Sequence, residues 1–544
     1  MAKNRWQKII FSPLGALFLI IFLGFLLRFW RLDSYPVELH SQEALLGWRA
    51  KSILLTGKDE TGRNLPLIFS TFTGYQLPLA TYLTVPFVAV LGLTPLAIRI
   101  PFALAGTLAI IAMYEIVRFL LPKDKNVALW SSFFLAVNPW TVYLSRNCSA
   151  ANLSFSLFLF GFYFLLFGWQ KKNFLRWLGV VFLIMALSTA KIAWFFILPF
   201  LIFSWIFLFK REKKILRDLL VVFLAFLPLL FSYVKAPQAK TDFLTYDLSL
   251  FSEPSIPTSI NLMRGESLKA GSPLMGRIFY NKLFYLEKLI SNFLVHFNPR
   301  FYFSSGDGNP LHGLTNFGPI LFAFLPVTLA SIWVMFKKKK DILIFLAVWF
   351  FLGIIPSVLV LPSPDQEKTI FVLPVLAIIT SFGLVRMKRS LLIIFLTILT
   401  FNFSFVSYDA LIKEPKRFQE ERQVSYRNLS LYLKENFEKY EKIYLTDAYG
   451  ADPGPALLYY LDYPAEKFLK NQKGSLVYRH FINQIDKVII NRQESWQPEE
   501  KALYVVTPKD REVVSDARYR QIEVIESEGK PVFMFFIWKE KNEE

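Results

Sequence analysis

Runs of Leu, Phe, Ile and Val, each near the roughly 20 residues that cross a bilayer, recur along most of the chain between short polar breaks. With shorter tilted segments allowed, they predict about eleven transmembrane helices. These fall near 9–30, 96–121, 127–145, 153–169, 174–189, 192–209, 217–234, 316–336, 341–361, 369–385 and 390–407. The first follows a basic start, with no small-residue cleavage site, and predicts a retained span rather than a signal peptide. Alternate connections then sort by charge. One set carries Lys3, Arg5 and Lys8; Lys123 and Lys125; Lys171, Lys172 and Arg176; Lys210 to Arg217; Lys337 to Lys340; and Arg386, Lys388 and Arg389. Short basic connections mark the cytoplasmic side. The other set, 31–95, 146–152, the turn at Lys191, 235–315, 362–368 and everything after 408, is long or polar and predicts the outer face. The stretch "LPLATYLTVPFVAVLGL", interrupted by Pro86 and Gly92, must not cross, because a crossing would move every later basic loop to the wrong side. It predicts an interfacial or re-entrant segment.

Beyond 408 the pattern changes to short strand-like runs, "EKIYLTD", "DKVII", "KALYVVT" and "PVFMFFIW", alternating with helical or polar stretches such as "YRNLSLYLKENFEKY". This predicts a small α/β domain outside the membrane. The expected organisation is a polytopic α-helical membrane domain, 1–407, with a first outer loop at 31–95 and a long one at 235–315, followed by a soluble extracytoplasmic domain at 408–544.

Composition agrees: the 544 residues are 54% hydrophobic and 17% aromatic, which is membrane-protein usage. The net charge of +19 would otherwise raise nucleic acid as a partner. The cations punctuate apolar runs instead of covering one soluble face, so no nucleic-acid partner is expected. One cysteine, Cys148, excludes an intramolecular disulfide.

Five segments then point in one direction: "TGKDETGRNLPL", "LAIRIPFALAGTLAI", "NPWTVYLSRNCSAANL", "HFNPRFYFSSGDGNPLHG" and "IIPSVLVLPSPDQEKTIFVLP". With the polar first loop and the outer C-terminal domain, they resemble glycosyltransferase superfamily C, close to the protein O-mannosyltransferases and the lipid A aminoarabinose transferase. The resemblance implies a multi-pass protein of the cytoplasmic membrane, with a cytoplasmic N-terminus. It implies transfer of a sugar, with inversion, from a polyprenyl-phosphate carrier to a glycan, lipid or protein hydroxyl at the outer face. Such chemistry needs a carboxylate to take the acceptor proton and cationic groups to hold the departing phosphate.

The family's first loop carries Asp then Glu, the Asp being the base. Here "HSQEALLGW" puts Gln42 at the Asp position and keeps Glu43. A glutamine amide does not accept a proton at neutral pH. Relatives also carry a Glu where Ala150 stands, and a Pro-His-x-x-Arg pattern where "PDQEK" leaves Asp365 and Lys368. The turn "GDGNPLH" matches at Gly306, Asp307, Asn309 and His312. The expected catalytic positions are therefore Glu43, as a relocated base beside Gln42, and Asp307. Glu43 has an alternative role orienting the loop helix, and Asp307 one as an Asx-turn residue. Expected substrate contacts are His40, Lys58, Arg146, Asn309, His312 and Lys368. Arg146 and Lys368 stand at span ends, where they clamp phosphate or snorkel to the interface. No cofactor is expected beyond the polyprenyl-phosphate sugar itself. The four histidines, His40, His296, His312 and His480, show no ligand spacing, so no metal is expected. The substituted positions also admit a non-catalytic relative that binds carrier lipid or glycan beside an active partner.

Overall fold

The computed structural model describes residues 12–71, 74–281, 283–420, 422–450, 452–470, 482–490 and 496–539. The basic residues Lys3, Arg5 and Lys8, and His480, lie outside the described residues. The chain divides into two compact units, one made of Met1–Trp30 with Phe102–Asp409 and the other of Arg31–Pro101 with Ala410–Glu544. The first outer loop is thus built into the same unit as the C-terminal segment.

In the first unit an apolar helix lies in each expected span, and the protein is a multi-pass membrane protein. Among the described residues five helices are long and apolar enough to cross a bilayer alone: Pro95–Leu120, Ala150–Gln170, Lys213–Val234, Lys340–Val358 and the helix that begins at Arg389. Lys125–Val137 and Pro139–Arg146 make a sixth if taken together across a 48° bend. Burial orders them. The apolar windows of Pro95–Leu120 and Ala150–Gln170 are 67% and 72% buried, whereas that of the Arg389 helix is 17% buried, so the first two are central and the last is peripheral.

The Ala150–Gln170 and Arg176–Leu187 helices form a hairpin that only small residues permit. A Cβ on Gly179 would stand 2.8 Å from the Gly161 carbonyl oxygen, and one on Gly168 would stand 2.3 Å from the Arg176 nitrogen. Close backbone approach of this kind is how membrane helices gain dispersion energy without a hydrophobic driving force.

Two expected spans differ in detail. The 127–145 segment breaks at Asn138, whose side chain caps the next helix by accepting from Trp140 N at 2.9 Å. Buried Arg28 donates to the carbonyls of Leu135 and Ala136 at 3.1 Å, satisfying the helix end that the break exposes. The 316–336 segment becomes helical only at Leu325, after a turn at Phe322–Phe324. Its earlier residues run non-helically, with Ile320 N bonded to Tyr302 O at 2.8 Å and Trp140 N to Pro319 O at 3.1 Å.

The second unit contains the helix Ser41–Thr56, a hairpin of β1 (Phe69–Thr71) and β2 (Gly74–Gln76), and the apolar helix Leu79–Leu91. With them stands a six-stranded sheet of β3 (Lys442–Leu445), β4 (Gln484–Ile485), β5 (Val488–Ile490), β6 (Ala502–Val506), β7 (Tyr519–Ser527) and β8 (Lys530–Trp538). The order is β4-β5-β3-β6-β8-β7, with β3 parallel to both β5 and β6. Leu45 and Trp48 of the loop helix belong to the core under this sheet, and Trp48 Nε1 donates to Tyr463 O at 2.9 Å.

Asp452 in this unit supports a prediction. Burial raises its carboxyl, donors from Gly454 and Ile482 lower it, Asp447 raises it, and the sum pushes it up to about 7. A folded-state pKa above the unfolded one means that stability is fullest below about pH 4 and falls as pH rises through 7. Asp452→Asn is therefore expected to be more stable than wild type at pH 8, by at most about 4 kcal/mol, and so to melt higher there, with little difference at pH 4. Thermal unfolding at the two pH values checks this, and equal increments at both would refute it.

Candidate functional site

The polar residues of the first loop form a closed network. His40 begins the helix Ser41–Thr56, its Nδ1 accepting from Gln42 N at 3.2 Å. Glu43, 1% exposed, pairs with buried Arg99 through two contacts of 3.4 Å, and Glu43 also faces His40 Nε2 at 3.9 Å. Arg99 donates in addition to the carbonyls of Leu32, Pro36 and Glu38 at 3.2, 2.9 and 2.6 Å. Glu43 thus anchors the cation that ties the loop entrance together. This geometry is what the orienting role weighed above would use.

Gln42 is half-buried, and its Oε1 accepts from Gln76 Nε2 at 2.6 Å. Gln76 in turn accepts from Arg49, which forms a bidentate buried pair with Glu60 and lies over the Phe69 ring. Lys58 is exposed, and its carbonyl accepts from Ser52 Oγ at 2.8 Å. Asp59 closes its own turn by accepting from Thr61 and Arg63.

In the first unit the expected residues part into two groups. Arg146 is 4% exposed and donates to the carbonyls of Leu27, Arg28 and Trp30 at 2.9, 3.3 and 2.8 Å. It caps the end of the helix Pro13–Phe29, a favourable place for a cation. Lys191 likewise joins Asp242 and Asp247 at 2.6 and 2.8 Å in a buried triad.

Asp307, Asn309, His312, Asp365 and Lys368, by contrast, converge. His312 Nδ1 lies 2.7 Å from Asp307 Oδ2 and 4.0 Å from Asp365 Oδ1, and its Nε2 lies 3.7 Å from Glu367 Oε2 and 3.2 Å from the Asn309 amide. Lys368 Nζ stands 3.4 Å from Asp365 Oδ2. Two loops are locked to make this meeting. Asp307 accepts from Asn309 N at 3.0 Å as an Asx turn and from Gln366 N at 2.9 Å across the gap. The Gln366 side chain runs between Gly306 and Gly313, where a Cβ would approach its amide to 2.1 and 2.4 Å. Gly306 also has φ +61°, so glycine is required there twice over. Tyr143 and Asn147, from the "NPWTVYLSRN" segment, fix the turn by donating to the carbonyls of Pro310 and Leu311 at 2.5 and 2.7 Å.

Electrostatics follow from the crowding. Burial pulls the His312 imidazole down, but its bond to Asp307 and the charges of Glu367 and Asp365 outweigh that and push it up to about 9. Burial raises Asp365, yet Lys368 and His312 prevail and hold it below the ordinary carboxylate range. Glu367, bonded to Ser149 Oγ, is a member that sequence reasoning missed. Its position in "PDQEK" was the available signal.

Residues 76–231 match the family model described as dolichyl-phosphate-mannose-protein mannosyltransferase. Among solved structures, ArnT from Cupriavidus metallidurans in the apo state aligns at TM-score 0.52 and 12% identity over 98% of this chain and 98% of that one. The same protein bound to undecaprenyl phosphate aligns at TM-score 0.53 and 12% identity over 96% and 98%. No curated protein matches the sequence. At this identity the structural likeness establishes a shared fold. Together with the family match it bears out the resemblance to glycosyltransferase superfamily C read from the motifs.

Proposed function

We propose that this chain, which has the ArnT fold, is a membrane glycosyltransferase moving a sugar from a polyprenyl-phosphate carrier to an acceptor hydroxyl at the outer face of the cytoplasmic membrane. The observation that carries the reading is the meeting of the "GDGNPLH" turn with the "PDQEK" loop. It gathers three carboxylates, an imidazole and a lysine on loops held by reciprocal hydrogen bonds. In the proposed step the acceptor oxygen attacks the anomeric carbon and the bond to the phosphate oxygen breaks. The polyprenyl phosphate leaves with the electron pair, the acceptor proton passes to a carboxylate of the cluster, and the configuration inverts. Asp307 is the best-supported acceptor, since its orientation is fixed by two backbone donors. Lys368 is the cation nearest to hand for the phosphate. The N-terminus is cytoplasmic and the 408–544 segment extracytoplasmic in this reading, which the alternation of basic connections supports.

The purified protein in nanodiscs, given a labelled polyprenyl-phosphate sugar and extracted envelope glycolipid, is expected to transfer label. Inactivity across hexose and pentose donors would end the proposal. Gln42 favours a second reading, a carrier-binding relative without catalysis, because its amide already accepts from Gln76 and takes no proton. Under that reading Gln42→Asp restores transfer by tenfold or more. Under ours it changes transfer by less than threefold, so the same assay separates the two.

A further inference from the structure

We propose that Asp307, His312 and Asp365 bind one first-row divalent cation, Mn2+ or Zn2+, where the two loops meet. One ligand atom from each lies within 4.8 Å of the other two. Tetrahedral Zn2+ with bonds of about 2.1 Å needs neighbouring ligand atoms roughly 3.4 Å apart. The present separations of 2.7 Å from His312 Nδ1 to Asp307 and 4.0 Å to Asp365 bracket that value, and all three ligand atoms lie within 4.8 Å of one another. The expectation of no metal rested on histidine spacing along the chain. It did not reach a ligand set drawn from two loops more than fifty residues apart.

The surroundings have the parts such a site uses. The side chains of Asp307 and Asp365 are 6% and 13% exposed. Backbone donors from Gln366 and Lys368 hold them, which fixes first ligands in place before the ion arrives. With Nδ1 on the metal, the His312 proton sits on Nε2 and faces Glu367, itself held by Ser149. A carboxylate behind a ligating imidazole is the usual outer support of such sites. The Asn309 amide, now 3.2 Å from Nε2, turns aside in this arrangement, and Lys368 loosens from Asp365. Mixed imidazole and carboxylate donors suit Mn2+ and Zn2+ better than Ca2+.

The chemical consequence rests on the transfer reading. Three carboxylates outweigh the cations beside them and repel an incoming phosphate, and a divalent cation offsets that excess. Asp307 ligates through Oδ2 and keeps Oδ1 for the acceptor proton, while the metal neutralises charge on the departing phosphate and Lys368, freed from Asp365, takes a second oxygen.

The test uses the full chain in detergent, stripped with EDTA and titrated with Mn2+ by electron paramagnetic resonance, with Zn2+ as competitor. Wild type is expected to bind one Mn2+ per chain, displaced by Zn2+. Asp365→Asn and His312→Gln are each expected to weaken binding tenfold or more, while Asp486→Asn, at a half-buried acid of the second unit paired with Lys467, leaves it unchanged. Melting curves identify any variant that fails to fold, in which case Glu367→Gln, expected to weaken binding severalfold, replaces it. Absence of saturable binding, or undiminished binding in every folded variant of the set, overturns the proposal. Transfer assays with and without EDTA separate it from the functional reading. Metal binding without transfer leaves the site standing and removes the glycosyltransferase, whereas transfer by protein that binds no metal does the reverse.

Discussion

Arg99→Met is expected to lower stability by about 3–5 kcal/mol, the largest effect of any single change considered for this protein. The guanidinium is wholly buried and satisfies three main-chain carbonyls, those of Leu32, Pro36 and Glu38, besides the Glu43 carboxylate. Methionine fills much of the volume but donates nothing. Glu43 would then be a buried charge without its guanidinium partner, with His40 Nε2 at 3.9 Å, and each carbonyl would lose a donor where water is scarce. The measurement is thermal unfolding of the purified protein, followed by tryptophan fluorescence. Trp48, one of thirteen tryptophans, lies on the same loop helix and contributes to the signal. Glu43→Gln keeps a hydrogen-bond acceptor for Arg99 and should destabilise by less than Arg99→Met. The double change Arg99→Met with Glu43→Leu should recover part of the loss, because it removes the stranded charge. If Arg99→Met melts with wild type, the ion pair does not organise the loop entrance. Glu43 then returns as a candidate base.

This prediction turns on a residue that the sequence made hard to interpret. Arg99 stands inside the apolar motif "LAIRIPFALAGTLAI", and an arginine at the mouth of a hydrophobic run looks the same whether it meets phosphate, lipid headgroups or a neighbouring loop. Arg146 posed the same difficulty and proved to cap the helix Pro13–Phe29. The apolar runs themselves were legible, because span length is set by bilayer thickness and composition alone reports it. The strand-like runs were legible too, where an unbroken apolar stretch such as "ALYVV" became the fully buried β6. The edge strand β7, "YRQIEVIES", carries charge on an exposed edge and gave no such run. The break at Asn138 escaped notice because hydropathy averages over it. Partnership between Asp307 and Gln366 is a contact between residues 59 apart, and no local pattern encodes the loop closure that makes it. What could be read was the set of residue types, Asp307, His312, Asp365 and Lys368. What could not be read was that Glu367 joins them, and that Glu43 and Arg146 have partners of their own.

Asp307→Asn is expected to reduce transfer by about 100-fold to 1,000-fold while leaving the protein folded. Asparagine has the same shape, and its one carbonyl oxygen can still accept from Asn309 N and preserve the Asx turn. Its amide nitrogen cannot accept from Gln366 N or from a His312 N–H, so the clamp between the two loops weakens and the imidazole loses its orienting partner. It also cannot take a proton from an acceptor hydroxyl. A purely architectural Asp307 would lose stability and activity together, with transfer per folded molecule nearly intact. A reacting Asp307 loses turnover per folded molecule, and raising the acceptor concentration does not restore it. Gly313→Ala supplies the comparison, since a Cβ there strikes the Gln366 side chain and disturbs the same clamp without removing a carboxylate. Single-turnover rates normalised to folded protein separate the cases. Asp307→Asn should fall well below Gly313→Ala, and if the two variants lose transfer equally, Asp307 holds the loops and the proton goes to another group.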